Sequence, residues 1–559
     1  MTPVDGSSQD RRAPRGAGAQ ARRALRGVTP LHVVFLALVA VHLVPLWAVE
    51  YLPFMDLPQH LSTIAALHHH GDPELGYAAF FELDLLSTPY LAYYLTTDVL
   101  AYAMPVETAN RVFLSLYVLL LPLATWRFLA AAGRERALSL LAFPVVYGTF
   151  LFMGLVNFVA ALPFFLFGFA ALLRWLEQRR RRDYVWLVVH SVVLYLSHTQ
   201  AYLLYVGSVG LYLLLAWPGF RHAVRAALHL APTLALLAVW ILRSRVLAGA
   251  EAWQAGRAGR NASPAGAAWE GLGTSLRELP GRLVDAWRDT SDDLLVVLLG
   301  FVLLTLLLLR RPPAATPAGE EPPSPALRGG WSRLRGFLRG NALELVALAL
   351  LGLYFALPVS YKWIWPLNWR LVPLSYLVGL AALRLPPLGP RGRAALVVPL
   401  TALSLLGAFV HLRHFEQFQD EVGPLQEVLD AAAPRRRTMG LIYDKGSGVV
   451  TPTLAPYIHF AQYYQLRKGG MADFSFANFA QSPVHFHERT GPPRLPVRWE
   501  WTPEQMRWPT NPPGAADYYD YYLVRGSWPG RGPFGSALGA EVREVARAGR
   551  WRLFERITP

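Results

Sequence analysis

LSLLAFPVVYGTFLFMGLVNFVAALPFFLFGFAALL, residues 138–173, contains no Lys, Arg, Asp or Glu anywhere along its length. One tilted transmembrane helix takes about 20 residues and at most about 25, so this run is two helices and a turn. The turn falls at Met153-Gly154-Leu155-Val156-Asn157. A second uncharged run, residues 184–217, splits in the same way at Ser197-His198-Thr199-Gln200. Arg134 and Arg136 precede the first hairpin, Arg179 to Arg182 separate the two, and Arg221 and Arg225 follow the second. Positive residues stay on the cytoplasmic side, so all three clusters lie there and both turns face outward.

Seven further uncharged runs, at 33–49, 112–126, 226–242, 294–309, 345–361, 371–383 and 394–411, bring the count to about 11 transmembrane helices. An odd count puts the termini on opposite sides, with the N-terminus in the cytoplasm. The composition of the 559 residues agrees: 53% are hydrophobic and only 16% charged, with a mean hydropathy of +0.27, too apolar for a soluble enzyme of this length. The net charge of +15 does not point to nucleic acid, because the arginines sit in short clusters between apolar runs. The absence of cysteine excludes disulfides, zinc thiolates, iron-sulfur centres and thiol catalysis.

Residues 1–27 form an Arg-rich cytoplasmic tail and an uncleaved signal anchor. The transmembrane domain covers 28–412. Its large first outer loop, 50–111, has no Lys or Arg between Arg26 and Arg111 but carries Glu50, Asp56, Asp72, Glu74, Glu82, Asp84, Asp98 and Glu107. Within it, residues 89–104 are apolar. A crossing there would put the Arg134, Arg179 and Arg221 clusters outside, so the segment is expected to be interfacial or re-entrant. Residues 248–293 are an outer loop with short amphipathic helices, and the Pro-, Gly- and Arg-rich stretch 311–340 is a cytoplasmic linker. From His414 the composition becomes that of a soluble domain, 413–559. Strands are expected at 438–443, 521–524 and 550–555 and a helix at 457–467, giving a small α/β domain.

Chemistry concentrates on outward positions. Asp56, in Tyr51-Leu52-Pro53-Phe54-Met55-Asp56-Leu57-Pro58-Gln59-His60, stands just past the first helix beside an amide and an imidazole. It suits a general base toward a hydroxyl, a ligand of a divalent cation, or the cap of a helix starting at Leu57-Pro58. The loop 361–370 places Lys362, Asn368 and Arg370 among aromatics. Such outer cations suit a lipid-linked phosphate or snorkel at an aromatic belt. His198 marks a hairpin tip and serves either the turn or a cavity. His68-His69-His70 point in different directions along a helix and are assigned no metal. His459, His485, His487 and Glu488 read as solvated surface, and Asn261-Ala262-Ser263 matches a glycosylation acceptor pattern that is frequent by chance.

The order of these features resembles the GT-C superfamily of integral-membrane glycosyltransferases. Asp56-Leu57-Pro58-Gln59-His60 resembles its acidic motif after the first helix, with Leu57 where many members have a second acid. Thr88-Pro89-Tyr90-Leu91-Ala92-Tyr93-Tyr94 resembles its Pro-aromatic outer helix, Ala109-Asn110-Arg111-Val112 its Ala-x-Arg start, and Gly549-Arg550-Trp551-Arg552-Leu553 its closing strand.

The resemblance implies a GT-C-like α-helical polytopic membrane protein with a C-terminal extracytoplasmic α/β domain. It implies an inverting transferase that moves a sugar from a polyprenyl-phosphate-linked donor to a glycan, lipid or protein acceptor. The reaction would take place at the outer face of the bacterial inner (plasma) membrane. Asp56 would be the catalytic base, with Gln59, His60, Glu82, Asp84, His198, Lys362, Asn368 and Arg370 binding substrate. Glu82 or Asp84 is the candidate second carboxylate. No cofactor is called for, although a divalent cation fits an acidic motif. A transporter or flippase, and a family member without chemistry that binds a lipid-linked sugar, are the competing readings.

Overall fold

The computed structural model describes residues 29–86, 88–243, 267–311, 330–361, 364–479, 481–493, 495, 499–505, 515–527, 534 and 541–557. The N-terminal tail, most of the 311–340 linker, Asn261 and Lys362 lie outside the described residues. The apolar runs fold as helices: α1 (Pro30–Ala48), α2 (Leu57–His68), α3 (Ala92–Ala101), α4 (Val106–Ala131), α5 (Val156–Gln178), α6 (Arg181–Ser197), α7 (Thr199–Ala216), α8 (Phe220–Arg243), α9 (Ser291–Leu308), α10 (Ala342–Ala356), α11 (Leu371–Ala382) and α12 (Pro390–Val422).

Seven of these, α1, α4, α5, α7, α8, α9 and α12, are long and apolar enough to cross a membrane. An eighth, α10, is bent by 76° from the short helix Trp331–Gly340 before it, inside the expected linker. The other three expected crossings fall on shorter elements, namely α6, α11 and Arg136–Phe152. The last begins as a 3-10 helix containing Pro144, whose missing N–H interrupts regular α-helical bonding. Both long runs divide where expected, at 153–155 and at His198. The segment expected to be interfacial holds only α3, whose 10 residues reach about 15 Å, half the hydrocarbon thickness.

The helix ends gather in two sets. At one, the N–H of Met55 donates to the Phe152 carbonyl (2.9 Å) and that of Leu91 to the Leu196 carbonyl (2.8 Å). Arg111 closes the C-terminal end of α1, donating to the carbonyls of Val49 (2.8 Å) and Glu50 (2.7 Å), where a cation meets the negative end of the helix. At the other set, Arg134 Nε donates to the Ala381 carbonyl and Arg384 Nε to Glu344. The Arg134, Arg179 to Arg182 and Arg221/Arg225 clusters all belong to this second set.

α12 continues past the composition change at His414 to Val422. Arg413, Glu416, Asp420 and Glu421 make the last turns polar, while Phe415, Phe418 and Val422 stay buried on one face. The helix ends at Val422, and the segment carrying the C-terminal sheet follows from Gly423. Its strands are β2 (Arg437–Ile442), β3 (Met471–Asp473), β5 (Tyr521–Arg525), β6 (Val542–Ala548) and β7 (Trp551–Arg556), following β1 (Phe81–Leu83) of the first outer loop and with β4 (Val484–Phe486) paired to that strand. The sheet order is β3-β2-β5-β7-β6. β2 lies parallel to β3 and β5, and β7 antiparallel to β5 and β6. The α/β character expected from the sequence is present. The helix expected at 457–467 forms only at Gln462–Lys468, after a series of turns.

Three side chains bind this domain to the helices. Trp551 is fully buried, stacks on Phe460 (5.6 Å between centroids, 14°) and donates to the Val422 carbonyl at the end of α12 (2.7 Å). Arg525 lies 3.4 Å above the Tyr457 ring and reaches Glu421 in the last turn of α12 at 3.8 Å. Arg467 reaches Glu50 (2.9 Å) and the Tyr51 hydroxyl (2.8 Å), just past α1, and Glu107 (2.7 Å) in the first turn of α4. One topology experiment follows. A reporter active only outside the cytoplasm is expected to be active when fused after Gly423 and inactive when fused between residues 312 and 329. Activity of both fusions, or of neither, would contradict the alternation of ends.

Candidate functional site

Asp56 occupies the N-cap position of α2, but its side chain makes no capping hydrogen bond. Its Oδ1 instead lies 3.3 Å from Nε2 of His459, from the C-terminal domain. The capping role open in the sequence is thus not the one the carboxylate plays. The site is built around that displacement.

Gln59, one turn into α2 and fully buried, holds the partner. Its Oε1 accepts from the N–H of Phe476 (2.9 Å) and its Nε2 donates to the Phe474 carbonyl (2.6 Å), which fixes the orientation of the amide. The second Nε2 hydrogen faces Nδ1 of His459 at 3.2 Å. With Nδ1 accepting, the neutral imidazole carries its proton on Nε2, facing Asp56. The ring itself is stacked on Phe474 (5.7 Å, 16°). Expected at the solvated surface, His459 is buried, because the segment carrying it folds back onto α2.

His60 is committed on both nitrogens. Nδ1 accepts from Tyr94 (2.8 Å), and Nε2 donates to the Gly154 carbonyl (3.0 Å). Burial lowers its pKa to about 4 and raises that of the Tyr94 phenol, so the imidazole is neutral and the phenol protonated at neutral pH. His60 is therefore a strut between α2, α3 and the turn before α5. Gly154 in that turn has φ +78°, and a Cβ there would lie 2.4 Å from the Asp56 nitrogen. The turn and the Asp56 backbone are packed as closely as glycine allows.

Past the turn, Phe158 touches the second half of the site. Its ring is 5.3 Å from His198 and 5.9 Å from the Arg370 guanidinium. His198 Nδ1 accepts from the N–H of Ala201 and so caps α7, while the imidazole packs beside Tyr90 (5.4 Å). It therefore serves the turn. Arg370 is buried, and burial lowers its pKa to about 10, which leaves it charged. Nη1 donates to Oε1 of Gln200 (2.8 Å), and Gln200 Nε2 in turn holds the Leu367 carbonyl (2.7 Å). Among the described residues Arg370 has no carboxylate partner, and its buried Nε has no acceptor. A buried cation in that condition is costly unless an anion joins it. Asn368 donates to the Tyr354 carbonyl (2.9 Å) and leaves its buried Oδ1 without a partner.

The structure does not bring the remaining acids to Asp56. Glu82 lies in β1, opposite His485, with its half-exposed carboxylate 3.9 Å from His487. Asp84 follows the strand and turns back onto the N–H of Leu86 (3.1 Å). His68 pairs with Asp98 (2.8 Å). Around Asp56, His60 has no free nitrogen and His459 offers Nδ1 to Gln59, so the residues present do not form a divalent-cation site. No group of three possible ligands occurs elsewhere among the described residues.

Fold and site together define a multi-pass membrane protein with a C-terminal sheet domain, with an acid and a cation held at one end of its helices. Among solved structures the chain is similar to ArnT from Cupriavidus metallidurans bound to undecaprenyl phosphate, with a TM-score of 0.53 and 14% identity over 93% of this chain and 97% of that one. At that identity the likeness is one of fold. No protein-family model matches the sequence, and no curated protein matches it.

Substituting Gly154 tests the contact on which the site rests. Gly154→Ala meets both an unfavourable φ, costing about 1–2 kcal/mol, and the Asp56 backbone. Gly133→Ala, at φ +67° with nothing near its Cβ, meets only the first. Thermal unfolding of the purified protein is expected to show a clearly larger loss for Gly154→Ala. Equal losses would mean that the turn does not press on Asp56.

Proposed function

We propose that the protein is a membrane glycosyltransferase that takes a sugar from a polyprenyl-phosphate-linked donor, with Asp56 as general base. The observation that carries this reading is a juxtaposition. Asp56, held by His459 and not by its own helix, stands at one side of the 154–158 turn, and the unpaired buried Arg370 stands at the other. An acid at one point and an unmatched cation at another suit a reaction that removes a proton at the first and releases a phosphate at the second. Undecaprenyl phosphate bound to the ArnT of like fold supports the choice of donor.

In this mechanism the acceptor hydroxyl lies against Asp56, which takes its proton as the oxygen attacks the anomeric carbon. The bond from that carbon to the phosphate oxygen breaks on the far side, and the electron pair leaves with the polyprenyl phosphate. In-line displacement inverts the anomeric centre. Arg370 stabilises the charge gathering on the leaving phosphate in a site screened from water, with Lys362 of the same loop as a second cation. His459, oriented by Gln59, turns its N–H to Asp56 and fixes the carboxylate. His198 and Asn368 line the sugar side. Glu82 and Asp84, on and just after β1, are given no part in this step. The acceptor is an envelope glycan, lipid or protein, reached from the outer face of the inner membrane.

Membranes containing the protein are expected to consume a polyprenyl-phosphate sugar. Asp56→Asn should lower the rate by about 10²–10⁴-fold, the usual contribution of a positioned base, without lowering protein abundance. Unchanged turnover would remove Asp56 from the site and sink the mechanism.

A further inference from the structure

At the far end of α5 a second charged site is present, independent of the reading above. Arg174 lies 17 residues beyond Asn157, about 25 Å along the helix, and so near the opposite face of the apolar layer. Two cavities of about 640 and 500 Å³ adjoin there, and both are lined by Leu123, Arg127 and Arg174. Arg136 completes the larger and Arg182 the smaller.

Four arginines thus converge between α1, α4, α5 and α6. Two acids share the lining: Asp183, which pairs with Arg174 at 3.2 Å, and Glu177. Arg127, Arg136 and Arg182 are exposed on the protein surface and have no acidic partner among the described residues. The walls below them are apolar. Phe35, Leu36, Leu119 and Leu123 line the larger cavity, and Phe167 and Trp186 the smaller. Phe167 and Trp186 enclose His190 (ring centroids at 5.3 and 5.6 Å), whose buried Nδ1 has no hydrogen-bond partner.

Unpaired guanidinium groups above an apolar groove at the depth of lipid headgroups match a molecule with an anionic phosphate and hydrocarbon tails. We propose that these cavities bind an anionic phospholipid of the arginine-side leaflet, its phosphate at the unpaired Arg127 and its acyl chains against Phe35, Leu36 and Leu123. Arg136 and Arg182 flank the headgroup. Free phosphate shares the charge but not the tails, and a zwitterionic lipid shares the tails but not the net charge. Both differences are readable.

The experiment uses the full chain in nanodiscs of phosphatidylcholine with or without phosphatidylglycerol. Lipid retention is read by native mass spectrometry after extraction, and stability by thermal unfolding. Wild-type protein is expected to retain phosphatidylglycerol in preference to phosphatidylcholine and to unfold at higher temperature with it. Neutralising one arginine should weaken retention about fivefold, so Arg127→Gln and Arg182→Gln together should nearly abolish the preference. Arg335→Gln, on an exposed helix outside the cavities, should leave it intact. Equal retention of both lipids by wild type, or an unchanged preference in the double variant, would overturn the proposal. So would the same stabilisation by inorganic phosphate alone. If the double variant fails to fold, competition in wild type between the two lipids still decides.

Discussion

The close approach of Gly154 to Asp56 governs the end of the molecule that carries the site. The turn between Arg136–Phe152 and α5 presses on the first residue of α2 so tightly that no side chain fits at 154. The same turn offers its carbonyl to His60, which ties it to α3 through Tyr94. Asp56 has φ −91° and ψ 0°, not the extended backbone of an ordinary N-cap, and its carboxylate meets His459 instead of α2. Phe158, on the next turn of α5, carries the constraint to His198 and Arg370. The two chemical groups are thus positioned by one short piece of backbone, and a shift there moves both.

That arrangement needs the C-terminal domain, which is part of the site and not an appendage to it. His459, Phe474 and Phe476 all come from it, and Gln59 binds each of them. Arg467 adds a charged tie to Glu50 and Glu107, and Trp551 fastens the last strand to the end of α12. A partly buried arginine shared between two carboxylates is stronger than an exposed pair, because less water screens it. The domain and the helices share one continuous apolar core, so they are expected to unfold together.

Much of this was legible in the sequence wherever the cause is local. The two hairpins were readable because charge and length leave no other solution for runs of that size. Asp56 and Arg370 were visible as polar residues where apolar ones dominate. Strands β2, β5 and β7 showed as short apolar runs. What stayed hidden depends on contacts between distant segments. Nothing near His459 in the chain announces that it will meet Asp56, about four hundred residues earlier. Its place follows from the turns at 457–461, where a helix had been expected. Glu82 and Asp84 stood out as acids, yet pairing of β1 with β4 carries them away from Asp56, a register that no local pattern encodes. The length of α12 was hidden for a related reason: its polar last turns carry no apolar run, and only the buried face of Phe415, Phe418 and Val422 shows that the helix goes on.

The central claim is that a carboxylate of the first loop works only when an imidazole of the last domain holds it. The most direct measurement is steady-state turnover of a polyprenyl-phosphate sugar by purified His459→Ala beside wild type, with donor binding measured separately. The account predicts that kcat falls about 10²-fold, the cost of misplacing a reacting group by about an ångström, while donor affinity stays the same because His459 touches no phosphate. Undiminished kcat in a folded His459→Ala protein, or a loss confined to donor binding, would contradict it.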